Sequence, residues 1–144
     1  MNIFNVNNKS GFTLMEMLVT VIIIGILVVA GVPYYKDHIE RQKAALGISN
    51  LRTVVDSIDR YMALHNQNIP NLFSKLDINI QPSFLSEDGS KYNDGNFTFT
   101  INSTQGKLNA KRNTDQYTLI YSFSDDTLRC QSSDSNFCHD KLNM

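Results

Sequence analysis

The sequence predicts an α+β fold: one long N-terminal helix, half of it membrane-type and half amphipathic, packed on a four-stranded antiparallel sheet. Three observations predict it. Nearly all the continuous apolar sequence lies before residue 36. A stripe of apolar residues at helical spacing follows. Beyond residue 95, short runs of alternating apolar and polar residues are separated by turn residues. The 144 residues are enough for one domain with a modest core. The net charge of -1 gives no electrostatic footprint of nucleic-acid binding, and no nucleic acid is assigned as a partner.

Residues 1–11, MNIFNVNNKSG, are polar, with Lys9 the one charged side chain. Residues 12–35, FTLMEMLVTVIIIGILVVAGVPYY, follow, and from Met17 to Val32 only Thr20 is polar. Phe12 to Pro33 is long enough to cross a hydrocarbon core of about 30 Å as a helix. Lys9 and the amino terminus precede this run, so the start is expected in the cytoplasm and the rest outside. Three readings compete. One is a secretory signal peptide, with Val28 and Ala30 as the small residues before a cut. Another is a plain signal anchor. The third is a signal cut before the apolar run, so that the run stays in the mature protein. Glu16 decides for the third, because its carboxylate costs about 3 kcal/mol in a bilayer and gives an ordinary signal peptide nothing.

Lys9-Ser10-Gly11, then Phe12-Thr13-Leu14-Met15-Glu16, then the apolar run, resemble the type IV pilin and pseudopilin family over residues 9–35. The resemblance implies a pilin-like fold and a set of site residues. A membrane prepilin peptidase would cut between Gly11 and Phe12 and methylate the new amino group of Phe12. Glu16 would then be the fifth mature residue, and Gly25 and Pro33 match family positions in the helix. Met15 and Met17 stand where Ile or Leu is common in the family.

Physical chemistry makes sense of the pattern. The amine freed at Phe12 would be largely cationic, its ordinary pKa being about 8. An incoming subunit can offer it to Glu16 of a neighbour, so that each charge gains a partner it lacked in lipid. Such a pair would select axial register, as one buried polar residue does in a coiled coil. A second role for Glu16 is to complement the positive end of its own helix. Gly25 and Pro33 weaken the helix, since Pro33 lacks an N–H and clashes with the carbonyl of Val29. The family implies that the Gly25–Pro33 stretch loosens in the filament.

Residues 36–66 form the amphipathic half of the helix. Ala44, Ile48, Leu51, Val55, Ile58 and Met62 fall on one stripe. Asp37–Arg41 and Asp56–Arg60 are spaced as ion pairs on the outer face. Asn66 to Pro70 ends the helix. Residues 67–95 read as a connector, pinned by Leu72, Phe73, Leu76, Ile78 and Ile80, with turns at Glu87–Ser90 and Asn93–Gly95. Residues 96–144 hold the sheet and a C-terminal disulfide loop. Its strands contain Phe97, Phe99 and Ile101; Leu108 to Arg112; Tyr117, Leu119, Tyr121 and Phe123; and Leu128 to Gln131. Short links imply an antiparallel meander. Cys130 and Cys138 are an even pair in a domain expected outside the cytoplasm, which points to one disulfide. The resemblance adds the C-terminal disulfide loop of pilins.

No catalytic constellation stands out. His38, His65 and His139 are scattered and read as surface residues. Cys130, Cys138 and His139 fit no usual zinc spacing, and Asp125, Asp126, Asp134 and Asp140 lack the spacing of a calcium loop, so no metal or cofactor is assigned. Asn96 and Asn102 open glycosylation-type tripeptides, a short pattern that arises by chance. Lys107, Lys111 and Arg112 read as a solvated basic edge.

The expected function is that of a structural pilus subunit, major or minor, and not an enzyme. Its implied partners are copies of itself or other pilins, the prepilin peptidase, an inner-membrane assembly platform and the membrane itself before assembly. It would sit in the inner membrane first and on the cell surface as a pilus afterwards. A type II secretion pseudopilin is the alternative within the family. A membrane-tethered receptor or enzyme is the alternative of another class, which Glu16 argues against.

Overall fold

The computed structural model describes residues 11–114, 116–133 and 137–142. Two units divide the chain, Met1–His38 and Ile39–Met144, and helix α1, Leu14–Leu64, contributes to both.

In the first unit α1 is apolar all round. Leu14 is 85% exposed and Val29 78%, so among the described residues this surface is open. A helix apolar on every side is stable only when lipid or other protein surrounds it. Among the described residues, α1 is long and apolar enough to cross a membrane. Thr20 puts its hydroxyl on the carbonyl of Met17 at 2.8 Å, which satisfies the one polar group in the apolar run. Pro33 lies inside α1. Added Cβ atoms at Gly25 and Gly31 would meet only open space.

In the second unit α1 buries Ala44, Gly47, Leu51, Val54, Val55, Ser57 and Ile58. This face is rotated from the expected stripe, leaving Ile48 and Met62 half-buried at its margin. Gly47 explains the rotation. The ring of Phe97 packs on its bare backbone, and a Cβ there would lie 2.6 Å from Cε2. The helix stops where Asn66 and Gln67 adopt left-handed backbone, and the Gln67 N–H returns to the Met62 carbonyl at 2.9 Å.

The sheet has five strands, not the expected four, in the order β1-β2-β3-β4-β5. They are β1 Lys91–Asn93, β2 Phe97–Asn102, β3 Lys107–Arg112, β4 Tyr117–Ser122 and β5 Thr127–Ser132. All neighbours are antiparallel, as the short turns between them require. The additional strand is β1, from the end of the expected connector. Its three residues are too few to show alternation, and pairing with β2 creates it. Tyr92 then stacks on Phe99 with centroids 5.2 Å apart.

Phe97, Phe99, Ile101, Leu108, Ala110, Tyr117 and Leu119 point inward and close the core with Leu51, Val54, Val55 and Ile58. Phe73 and Leu76 anchor the connector in that core, with Ile78 and Ile80 packed against it. Leu72, expected to share that role, is not part of it. The connector also forms 3-10 turns at Phe73–Lys75 and Pro82–Phe84. Arg60, expected to pair with Asp56, instead forks onto Asp77 at 2.7 and 2.8 Å, and Ser57 donates to the same carboxylate at 2.5 Å. Cys130 on β5 is bonded to Cys138 on the short helix α2, Phe137–Leu142.

Candidate functional site

The start of α1 is built by two side chains. Thr13 precedes the first helical residue, and its hydroxyl accepts the Glu16 N–H at 3.2 Å. Glu16 answers with Oε2, which accepts from the Thr13 N–H at 2.7 Å and from the Thr13 hydroxyl at 2.9 Å. This reciprocal arrangement is a capping box. It satisfies helix-end donors that lipid cannot solvate. Both bonds fall on Oε2. Gly11 and Phe12 lie just ahead of the box in non-helical backbone, both exposed, Phe12 at 79%. Lys9 and Ser10 lie outside the described residues. Gly25 and Pro33 fall within the exposed apolar surface of α1, well beyond the cap.

A second constellation lies within the Ile39–Met144 unit, where sequence reasoning missed it. Arg112 was expected on a solvated edge. It is instead 4% exposed, on a strand with neighbours on both sides. Its Nε reaches Glu40 Oε1 at 2.6 Å and its Nη2 reaches Oε2 at 3.3 Å. Nη1 donates to the Asn96 carbonyl at 2.7 Å, and the guanidinium lies 5.5 Å from the centre of the Phe97 ring. Tyr117 donates its hydroxyl to Glu40 at 3.3 Å. Burial, then the Glu40 charge, pushes the Tyr117 phenol well above its ordinary pKa. The cluster fastens the helix to the sheet. The sequence signal was slight: inward alternation in β3 places Arg112 with Leu108 and Ala110.

Among the described residues, no group of three or more His, Cys, Asp or Glu could hold a metal ion. Asp134 and the side chain of Asp140, weighed as calcium ligands, lie outside the described residues. Asp125 is engaged by Thr127 at 2.9 Å and Arg129 at 3.3 Å.

A helix of membrane length with a carboxylate in its first turn, and a meander sheet on the unit beyond it, define the class of proteins bearing a pilin-type N-terminal segment. Residues 6–32 match the family model described as the prokaryotic N-terminal methylation motif. The chain is 49% identical over 41 residues to the type IV major fimbrial protein FimA of Dichelobacter nodosus, covering 28% of this chain and 26% of that protein. It is 34% identical over 62 residues to a fimbrial protein of Moraxella nonliquefaciens, 43% of this chain and 38% of that one. It is 28% identical over 89 residues to the type II secretion system core protein G of Aeromonas hydrophila, 62% of each. The matched region thus spans about a quarter of the Dichelobacter fimbrial protein's length. No solved structure matches significantly. The chain thus carries an N-terminal segment that matches the methylation motif, and it is similar both to type IV fimbrial proteins and to a type II secretion core protein.

Proposed function

We propose that this chain is a structural subunit of a type IV pilus, made as a precursor and assembled through its N-terminal helix. A prepilin peptidase cuts between Gly11 and Phe12 and methylates the Phe12 amine. The apolar half of α1 holds the subunit in the inner membrane, with the second unit outside the cytoplasm. An assembly platform then moves it into a filament of like subunits. There the Phe12 ammonium of one copy meets Glu16 of a neighbour, and the Gly25–Pro33 stretch gives the helix room to extend. The chain carries no catalysis of its own.

One observation carries this reading. A carboxylate stands at the head of a helix whose apolar side chains are exposed among the described residues. The capping box supports it further. Thr13 occupies Oε2 alone, so Oε1 is placed to accept from an incoming ammonium while the helix end stays satisfied. The type II secretion pseudopilin remains the second reading, because the match to core protein G runs through 62% of the chain, well past the N-terminal motif.

The Glu16→Gln variant tests the assembly role. It keeps a capping-box acceptor but removes the charge. The expected result is a processed protein that accumulates in the membrane and is missing from the sheared extracellular fraction. Wild-type amounts in that fraction would overturn the role given to Glu16 and favour a simple tether.

A further inference from the structure

Thr20 is bonded to its own helix, and apart from it residues 13–36 carry polar side chains at two levels only. One level is the capping box of Thr13 and Glu16. The other is Tyr34, Tyr35 and Lys36, which the filament reading does not use. At ~1.5 Å per residue the chain rises ~32 Å from Thr13 to Tyr34, and the hydrocarbon core of a bilayer is ~30 Å thick. The two polar levels are thus spaced to stand at the two faces of a membrane. The aromatic residues follow the same plan. Residues 12–36 hold Phe12 at one end, Tyr34 and Tyr35 at the other, and none between.

Tyr34, Tyr35 and Lys36 are exposed, and their side chains have no hydrogen-bond or ion-pair partner among the described residues. A tyrosine has an apolar ring and a polar tip, so it suits a boundary where one end is greasy and the other wet. Three consecutive helical residues point ~100° apart, so these side chains spread over ~200° of the circumference. That is a belt, which suits lipid on several sides better than one protein partner on one side. At the other level, the Thr13 N–H holds Glu16 Oε2 at 2.7 Å. The carboxylate therefore stands level with the start of the helix and not within the apolar run, which lowers its cost in the membrane.

We propose, on the membrane reading of α1 made above, that Tyr34, Tyr35 and Lys36 form a phospholipid-headgroup site that sets the depth of the helix before assembly. The tyrosine rings lie against the ends of the acyl chains nearest the headgroups. Their hydroxyls donate to headgroup oxygens, and the Lys36 ammonium faces the same phosphate layer. With this end held, the capping box stands at the opposite face of the membrane. All of these residues belong to the Met1–His38 unit, so the site is the same in a pilus subunit and in a secretion pseudopilin.

The test uses the full chain in vesicles of phosphatidylcholine and phosphatidylglycerol, with carbon-13 at every tyrosine Cζ. Dephasing of that carbon by lipid phosphorus in solid-state NMR reads contact with headgroups. About one third of the signal should dephase, since two of the six tyrosines lie in the belt. In the Tyr34→Phe, Tyr35→Phe double variant the four remaining tyrosines should show none. The chain has no Trp, so Ile24→Trp places a single fluorescent reporter midway between the two levels. Lipids brominated at the bilayer centre should quench it more than lipids brominated near the headgroups. Adding Tyr34→Ala and Tyr35→Ala moves the first polar group two residues on, and the reporter should shift in depth by ~3 Å. Unchanged circular dichroism in each variant would show that the helix survives. A reporter not quenched from the bilayer centre would overturn the membrane reading itself, and the site with it. A reporter that is quenched there, together with no dephasing, dephasing that survives in the Phe variant, or no shift in the Ala variant, would overturn the headgroup site and leave the span standing.

Discussion

Arg112 and Glu40 stand 72 residues apart in sequence and meet in a forked ion pair with Nε–Oε1 at 2.6 Å. Their side chains are only 4% and 18% exposed. Removing one partner leaves an uncompensated charge away from water, which costs about 3–5 kcal/mol, whereas replacing both by apolar groups of similar volume is often near neutral. Glu40→Leu should therefore lower the thermal midpoint of the full chain in detergent far more than the Glu40→Leu, Arg112→Met double variant does. Near-ultraviolet circular dichroism of the tyrosines reads this. Equal losses in the two variants would mean that the pair contributes through packing alone.

Gly47 and Phe97 make a second close relationship. A Cβ at position 47 would lie 2.6 and 2.7 Å from the ring carbons. In an exposed helix, Gly→Ala stabilises by up to about 1 kcal/mol. Here the sign should reverse, with overpacking costing about 1–3 kcal/mol. Phe97→Leu in the same chain should recover part of the loss, since it removes the clashing atoms. A Gly47→Ala variant as stable as wild type, by the same dichroism melt, would show that Phe97 has room to move.

The acidic groups predict opposing pH effects. Arg60 first, then Ser57, holds the Asp77 carboxyl well below the usual carboxylate range. Ser86 and then Ser90 hold Asp88 near pKa 2. A depressed folded-state pKa contributes stability above the unfolded value of about 4, and that stability is lost as pH falls through the folded value. Asp59 is shifted the other way, by burial and then by the charges of Asp56 and Asp126. It binds its proton more tightly when folded, so it opposes folding above its folded pKa and ceases to do so as it protonates on acidification. Asp77→Asn should lower stability at pH 7 and flatten the acid limb. Asp59→Asn should raise stability at pH 7. Melts of both variants between pH 3 and pH 7 would check both signs.

Much of this structure was legible in the sequence, and the reasons differ by element. The apolar run and the Gly11-Phe12…Glu16 pattern are local signals. So is the alternation of β2 and β4, each half-buried on one face. β1 was missed because three residues carry no period, and its reason to exist is the neighbouring edge of β2. Arg112 was misread because a basic residue beside two lysines suggests solvent, and its partner lies on another element. Gly47 looked like any helical glycine, since only the approach of Phe97 gives it a role. The capping box could have been found: Thr13-Leu14-Met15-Glu16 has its spacing, and reading Glu16 as a charge alone hid it.

The most direct test of the account is the intact mass and first residue of the protein recovered from a sheared extracellular fraction. The account predicts a chain that begins at N-methylated Phe12 and lacks the two hydrogens lost in the Cys130–Cys138 disulfide. A chain still beginning at Met1, from cells with an active prepilin peptidase, would contradict it.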